Sequence, residues 1–287
     1  EDKIWATLTE RDAVIFYDND FEVFIDPDSD TYAYYELELN AFNTVWDLLL
    51  ISPYRDAGSN PSTISGYMYK YPCAVTGWDI AGLKTAVHID GVINDVSAVS
   101  TNIGWSLEIA IPMNILKECA HGGSARGGRA RNVRVPKAGD YWRIDFSRIE
   151  WQTEIKDGKY TKVINPETGK PFPEYNWIWS PIGLNDIHYP ELFGFVYFTD
   201  KPEDQFEIPE DEKLKWELRK LYYMQKNDFR QHGRYCNDYH ELTGGETGMI
   251  SPYIEATSRL YEASVINSDG TGRIIIRQDG RCTIEEN

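Results

Sequence analysis

Hydrophobic and polar residues alternate along several short segments between Val14 and Thr199. An alternation with a period of two puts every second side chain on one face, which predicts β-strands with one face toward a core. Turn-forming sequences, such as the one at 26–28, separate the segments. The predicted strands are centred on Phe21–Ile25, Leu37–Ala41, Val87–Ile89, Trp105–Ile111, Trp142–Phe146 and Phe193–Tyr197. Short strands joined by turns are typical of an antiparallel β-sandwich, so we predict a mainly β fold.

The pattern changes after an acidic, proline-containing linker at 200–204. Pro209 begins a segment in which apolar residues have helical spacing, and we expect Gly233 to end this helix. Two strand-like segments follow, Arg259–Ile266 and Gly272–Arg277. We therefore predict a β-sandwich over residues 1–201 and a small C-terminal α+β appendage over residues 202–287. Because so small a unit is marginally stable alone, we expect it to pack on the sandwich or on a partner.

The charge of the chain limits its possible partners. The 46 acidic and 29 basic residues give a net charge of −17 and a pI near 4.7. Since nucleic-acid binding depends on Lys and Arg contacts with phosphates, we expect neither nucleic acid nor anionic lipid as a partner. The sequence contains no run of about 18 apolar residues, so we predict no membrane span. Aromatic residues make up 14% of the chain, which suits sites for partly apolar ligands as well as cores.

The cysteines form no recognisable metal-binding motif. Those at positions 73, 119, 236 and 282 are far apart and include no CxxC pair, which argues against a zinc cluster. A disulfide in an oxidising compartment and buried free thiols both remain open at this point.

Two neighbouring predicted strands carry polar residues at alternate positions. Asp20 and Glu22 project to the same face of the first strand, and Glu38 and Asn40 share a face of the second. If the strands pair, the four side chains form one patch. Carboxylates accept hydroxyl hydrogen bonds and the amide both donates and accepts, so such a patch suits a polyhydroxylated ligand. The alternative is the wet face of a half-solvated sheet.

The turn after the first of these strands contains a candidate metal site. Asp26, Asp28 and Asp30 have the spacing of the first half of a calcium loop. Thr31 and Leu37 stand where an EF-hand needs Gly and a bidentate Glu, which excludes that motif. A structural calcium ion in a strand-connecting loop and an ordinary polar turn are the two alternatives.

Several short motifs, taken together and in order, carry a family resemblance. They are Asp20–Asp26, Tyr35–Asn40, Gly82–Val87, Trp105–Pro112 and Pro190–Gly194. Over roughly residues 1–199 the chain resembles the carbohydrate-binding module family 9-like domains of secreted bacterial proteins. The resemblance implies a β-sandwich, non-catalytic recognition of an oligo- or polysaccharide, often a bound calcium ion, and a secreted, periplasmic or cell-surface location.

The resemblance also implies roles for particular polar residues. Glu22 and Asn40 correspond to family residues that hydrogen-bond the sugar. Glu38 stands where the family has an Arg, which changes the donor pattern. We expect Asp20 and Arg143 to lie beside these residues and to complete the hydrogen-bonding set.

The family holds a terminal sugar between two Trp rings, and this clamp is altered here. The first ring corresponds to Phe16, and the second falls near Ile187, next to His188. Trp177 and Trp179 are nearby substitutes, although they could equally be a core pair at the end of a strand.

Three functional hypotheses follow. The first is a non-catalytic sugar-binding protein that takes part in polysaccharide degradation, with or without a partner enzyme. The second is a glycoside hydrolase using a carboxylate pair, either Asp20 with Glu22 or Glu38 with Asp145. The third is a structural surface protein whose aromatic residues all belong to the core.

Overall fold

Short antiparallel strands make up the first part of the computed structural model, which describes residues 1–56, 73–113, 135–184, 186–246 and 249–286. In chain order they are β1 (Asp20–Asp26), β2 (Tyr34–Asn40), β3 (Val45–Leu50), β4 (Ala74–Val75), β5 (Lys84–Asp90), β6 (Gly104–Ala110), β7 (Tyr141–Glu150), β8 (Thr153–Lys156), β9 (Lys159–Lys162), β10 (Tyr175–Ile178) and β11 (Gly194–Tyr197). Seven strands form one sheet, in the order β10-β7-β1-β2-β3-β4, with β11 beside β10 on the same edge of β7. The predicted mainly β, sandwich-like fold is confirmed.

One face of the seven-stranded sheet forms the main core. β1 and β2 contribute Val23, Ile25, Leu37 and Leu39, all at most 5% exposed, and β7 adds Trp142. The hairpin of β5 and β6 supplies partly buried apolar side chains that pack against this face. The alternation in the sequence therefore corresponds to one apolar side of each strand, as predicted.

The other face of the sheet is covered as well. Phe24, Tyr34 and Leu48 form a second apolar cluster on this side. The chain around 8–16 and around 187–193 packs over it. All seven residues of β2 are consequently buried, although its sequence alternates between polar and apolar. The alternative of a wet face on a half-solvated sheet is wrong, because these two segments exclude water from it.

The C-terminal part is a helix packed on a separate sheet. Its elements are α1 (Glu210–His232), α2 (Tyr239–Leu242), β12 (Tyr253–Ala256), β13 (Tyr261–Ile266), β14 (Gly272–Arg277) and β15 (Cys282–Glu286). The strands form an antiparallel sheet in chain order, and α1 packs on it through Leu218, Leu221 and Tyr222. The predicted boundary between 1–201 and 202–287 falls between β11 and α1, and the independence of the two units stays a prediction.

Polar contacts hold the C-terminal unit against the loop between β1 and β2. Nε of Arg281 donates to Oδ2 of Asp30 at 3.0 Å. The hydroxyl of Tyr32 donates to the backbone oxygen of Asp279 at 2.6 Å. The two parts of the chain thus share a polar interface.

Two further expectations concern membranes and thiols. Among the described residues, no helix has both the length and the apolar character needed to cross a membrane. Cys73, Cys236 and Cys282 are free thiols, while Cys119 lies outside the described residues.

Candidate functional site

The pairing of β1 with β2 brings the four polar residues of the motif together. Asp20 lies opposite Asn40, and Glu22 lies opposite Glu38. Directly opposed residues of an antiparallel pair project to the same side of the sheet. The single patch expected from the sequence is therefore formed.

This patch is closed to a ligand, which corrects the expectation of an open sugar-binding surface. None of its four residues is more than 4% exposed. The short helical turn Ile15–Tyr17 lies above β2, and the backbone amide of Phe16 donates to Oε2 of Glu38 at 2.8 Å. Phe16 therefore covers the patch, and its ring does not flank an open sugar-binding surface as expected. A sugar ring cannot reach these side chains in this structure.

Asn40 has a structural role that uses its whole amide. Its Nδ2 donates to the backbone oxygen of Leu8 at 2.8 Å and to Oδ2 of Asp18 at 3.0 Å. Its Oδ1 accepts from the backbone amides of Phe42 at 3.1 Å and Thr44 at 3.0 Å. Two donors and two acceptor positions are thus occupied, which leaves nothing for a sugar hydroxyl.

Several carboxylate oxygens beside Asn40 lack such partners. Both Oδ atoms of Asp20, and one Oε atom each of Glu22 and Glu36, are buried without a hydrogen-bond partner. Burial raises the pKa of Glu22 to about 7. Burial, with repulsion from Glu22, raises the pKa of Glu36 to about 8. Burial and the neighbouring carboxylates also hold the pKa of Asp20 and of Glu38 well above its usual range. We call these four residues, Asp20, Glu22, Glu36 and Glu38, the strand-face carboxylates.

The carboxylate pairs considered for glycoside hydrolysis are closed off in the same way. Asp145 on β7 is also fully buried, and its Oδ1 accepts from the backbone amides of Phe146 at 2.9 Å and Ser180 at 3.0 Å. Neither the Asp20–Glu22 pair nor the Glu38–Asp145 pair lines an open cleft. A glycosidic bond could not lie between either pair without a rearrangement of the covering segments.

Arg143 projects from the same face of the sheet, but its guanidinium makes structural contacts. Its Nη1 donates to the backbone oxygen of Phe193 at 2.8 Å, and its Nη2 pairs with Oε2 of Glu212 on α1 at 3.2 Å. The guanidinium lies 3.6 Å from the ring centre of Phe195. Arg143 therefore joins the sandwich to α1, and the expectation that it lies beside Glu22 as a free sugar donor is corrected.

His188 is a packing residue in this structure. Its Nδ1 lies 2.9 Å from the hydroxyl of Tyr34. Its ring meets those of Phe24 and Tyr54 edge to face, with centroids 5.6 Å and 4.5 Å away. Burial lowers the pKa of His188 to about 4, so the neutral ring is the favoured form. It does not flank an open sugar site.

The loop of Asp26, Asp28 and Asp30 brings its carboxylates within 4.8 Å of one another, as a shared ion would require. However, Asp26 already accepts from two backbone amides, each at 3.0 Å, and Asp30 accepts from Arg281. The amides are neutral donors, and the guanidinium brings one positive charge to the loop. These contacts are those of a polar turn, and a calcium ion held by this loop stays a prediction.

Trp177 and Trp179 lie on the other face of the sheet from the strand-face carboxylates. Trp177 is opposite Arg148, and the ring of Trp179 lies 5.6 Å from that of Phe146, which belongs to the apolar face. The expectation that they flank Glu22 is therefore corrected. Both are nevertheless open to solvent, at 63% and 52% exposure.

These two rings belong to a row of three. Tyr175 shares their face of β10 at the same spacing and is 50% exposed. Arg148 and Glu150 of β7 lie opposite Trp177 and Tyr175 on that face. We call Tyr175, Trp177 and Trp179 the aromatic row. Sequence reasoning missed Tyr175, Arg148 and Glu150, although the alternate aromatic residues from 175 to 179 were a visible signal.

The indole ring of Trp179 packs against the backbone of β11 at Gly194. A Cβ atom on Gly194 would lie 2.5 Å from Cζ3 of Trp179. The absence of a side chain at this position therefore lets the indole lie against the backbone of β11.

Comparisons with known proteins add no family. No protein-family model matches the chain, and neither curated proteins nor solved structures give a match. The resemblance to family 9-like domains rests on the short sequence motifs alone.

Proposed function

We propose that the chain binds a neutral glycan without catalysis, and that the glycan lies along the aromatic row. One observation carries this proposal: three aromatic side chains, two in the edge strand β10 and one directly after it, lie on one side of the sheet and are each at least half exposed. A globular protein normally buries such rings, and exposed groups of them mark binding sites. Flat rings with a polar atom suit the C–H faces of sugars.

The spacing of the row supports an extended ligand. Alternate residues of a strand are about 6.6 Å apart, so the three rings span roughly 13 Å. A chain of sugar rings could therefore contact more than one of them. Because stacking and a few hydrogen bonds give modest affinity, we expect a dissociation constant of roughly micromolar to millimolar.

Polar groups beside the row supply hydrogen bonds. Arg148 pairs with Glu150 at 2.8 Å and with Glu1 at 2.9 Å, and both Arg148 and Glu150 stay partly exposed. Guanidinium donors and carboxylate acceptors together match hydroxyl groups, which do both. The net charge of −17 favours a neutral glycan over an acidic one.

The resemblance to family 9-like domains supports an extracytoplasmic location and a role in polysaccharide degradation. A bacterial protein that is secreted, periplasmic or on the cell surface would meet polysaccharide there. Binding would then hold the chain, or a partner enzyme, on the substrate during polysaccharide degradation.

Affinity electrophoresis through gels containing neutral polysaccharides tests the proposal. We expect retardation of the wild-type protein and a loss of binding of about fivefold or more in Trp177→Ala, since a stacked ring contributes on the order of 1 kcal/mol or more. Tyr253→Ala removes a ring of 61% exposure from β12 and should leave mobility unchanged. Equal retardation of wild type and Trp177→Ala would overturn the assignment of the row, and release of reducing ends would overturn the non-catalytic function.

A further inference from the structure

Carboxylate oxygens converge at three places within the described residues. The groups are Asp12, Asp47 and Asp79; Asp26, Asp28 and Asp30; and Asp20, Glu22 and Glu38. Arg11 bonds to both Asp47 and Asp79 in the first group. Arg281 pairs with Asp30 in the second. These two groups therefore have an arginine to balance their charge.

Within the described part of the chain, no arginine or lysine forms an ion pair with the third group. Asp20 is fully buried, and neither of its carboxylate oxygens has a hydrogen-bond partner. The nearby backbone amide of Ile149 favours ionisation of Asp20, but burial and the neighbouring carboxylates outweigh it. Oε2 of Glu22 is also buried and unpartnered. A buried carboxylate without a partner is strongly unfavourable, so a compensating group is needed here.

The charged residues around the third group make this need greater. Three further carboxylates lie close enough to repel it, namely Asp18, Glu36 and Glu174. Burial and this repulsion raise the pKa of Asp20. Either bound protons or a bound cation can neutralise such a group.

We propose that Asp20, Glu22 and Glu38 bind a hard divalent cation, with Ca²⁺ as the best match. One oxygen from each residue lies within 4.8 Å of the others. Two oxygens bound to the same Ca²⁺ lie at most about 4.8 Å apart, twice the Ca–O distance of about 2.4 Å, so each pair of residues is close enough to share one ion. An all-oxygen set favours Ca²⁺, Mg²⁺ or Mn²⁺ over zinc and copper, and Ca²⁺ tolerates irregular geometry best.

The surroundings of the group are suited to holding an ion. The backbone amide of Phe16 donates to Oε2 of Glu38 and so fixes the orientation of this carboxylate. The site lies on the closed face of the sheet, opposite to the aromatic row, and differs from the loop of Asp26, Asp28 and Asp30. The cation proposal therefore does not depend on the glycan proposal.

Calcium binding can be measured directly on the wild-type protein after treatment with EDTA and dialysis. Titration with CaCl₂ should show one ion per chain and raise the melting temperature by about 5 °C or more at saturation. Asp20→Asn should lower the affinity on the order of 100-fold. Asp26→Asn changes the loop instead and should bind calcium like the wild type.

Two outcomes would overturn the proposal in this experiment. If CaCl₂, MgCl₂ and MnCl₂ all fail to bind and leave the melting temperature unchanged, protons neutralise the carboxylates. If Asp26→Asn loses the ion while Asp20→Asn keeps it, the ion belongs to the loop.

A second measurement remains decisive even if Asp20→Asn does not fold. Trp46 lies opposite Glu38 on the same face and is only 4% exposed. Tb³⁺ used in place of calcium should therefore luminesce on tryptophan excitation. Trp46→Phe should lose most of this luminescence while keeping the calcium-induced rise in melting temperature. Undiminished luminescence in Trp46→Phe would overturn the assignment.

Discussion

The imidazole of His188 lies in an environment that opposes its positive charge. The residue is partly buried among aromatic rings, and Arg55 adds a second positive charge nearby. Asp186 favours protonation, but burial outweighs it and lowers the pKa of His188 to about 4. An unfolded chain would protonate this imidazole near pH 6.5. The folded protein must therefore lose stability when the pH falls below that value.

His188→Gln should reduce the acid sensitivity of the fold. Because the folded pKa is lower than the unfolded one, the stabilising contribution is present above pH 6.5 and decreases as the pH falls toward 4. Between pH 7 and pH 5 the wild type should lose about 1 to 2 kcal/mol more unfolding free energy than the variant. Urea unfolding at both values measures this. His240→Gln, at an exposed position, is the control, and an equal loss in wild type and His188→Gln would contradict the prediction.

The strands β10 and β11 share one edge of β7, one after the other. β10 pairs with residues 147–150 and β11 with residues 141–144. Trp179 follows β10 at the point between them, and its backbone amide donates to the oxygen of Phe146 at 2.8 Å. The aromatic row therefore continues past the end of its strand because β11 makes room for the last ring.

Gly194→Ala should displace the ring of Trp179. The added Cβ would lie 2.5 Å from Cζ3, so the indole or β11 must move. We expect a changed tryptophan emission spectrum, a loss of about 1 to 3 kcal/mol in unfolding free energy and weaker retention by polysaccharide. Gly77→Ala, where a Cβ meets nothing within 4 Å, is the matched control. An unchanged spectrum in Gly194→Ala would contradict the prediction.

The strands were predictable from the sequence, but the segments that bury the second face of the sheet were not. Alternation in β1 and β2 follows from the core on one side, where Val23 and Leu37 pack. The same alternation gives no information about distant segments such as 8–16 and 187–193, which bury Glu22 on the other side. Likewise, the side to which Trp177 projects depends on its register with β7. Local pattern predicts strands, whereas long-range contacts decide which face is open.

A buried carboxylate of α1 is one of the groups that join the sandwich to the C-terminal unit. Glu212 of α1 is 3% exposed and pairs with Lys215 at 2.7 Å and with Arg143 of β7 at 3.2 Å. Tyr141 donates to it as well, at 3.1 Å. Burial opposes ionisation, but Lys215 and Arg143 outweigh it and hold the pKa of Glu212 below its usual range. Glu212 thus carries a buried negative charge that pairs with one cation from each part of the chain.

Glu212→Leu should destabilise the whole chain. It leaves Arg143 and Lys215 as unpaired charges in a buried interface, and we expect a loss of about 3 to 5 kcal/mol in unfolding free energy. Glu210→Gln on the same helix removes an exposed pair with Lys213 and should cost at most about 0.5 kcal/mol. Chemical denaturation of both variants tests this difference. Equal midpoints for the two variants would show that the buried charge does not hold the interface.

The contact between Arg281 and Asp30 has a consequence for the order of events during synthesis. The two residues are 251 positions apart, yet their side chains meet in the turn that follows the first strand. While the polypeptide emerges from the ribosome, the ion pair between Asp30 and Arg281 therefore cannot form until Arg281 has been translated, 251 residues after Asp30. Contacts of such long range delay the final folding step and leave the early turn exposed to chaperones in the meantime.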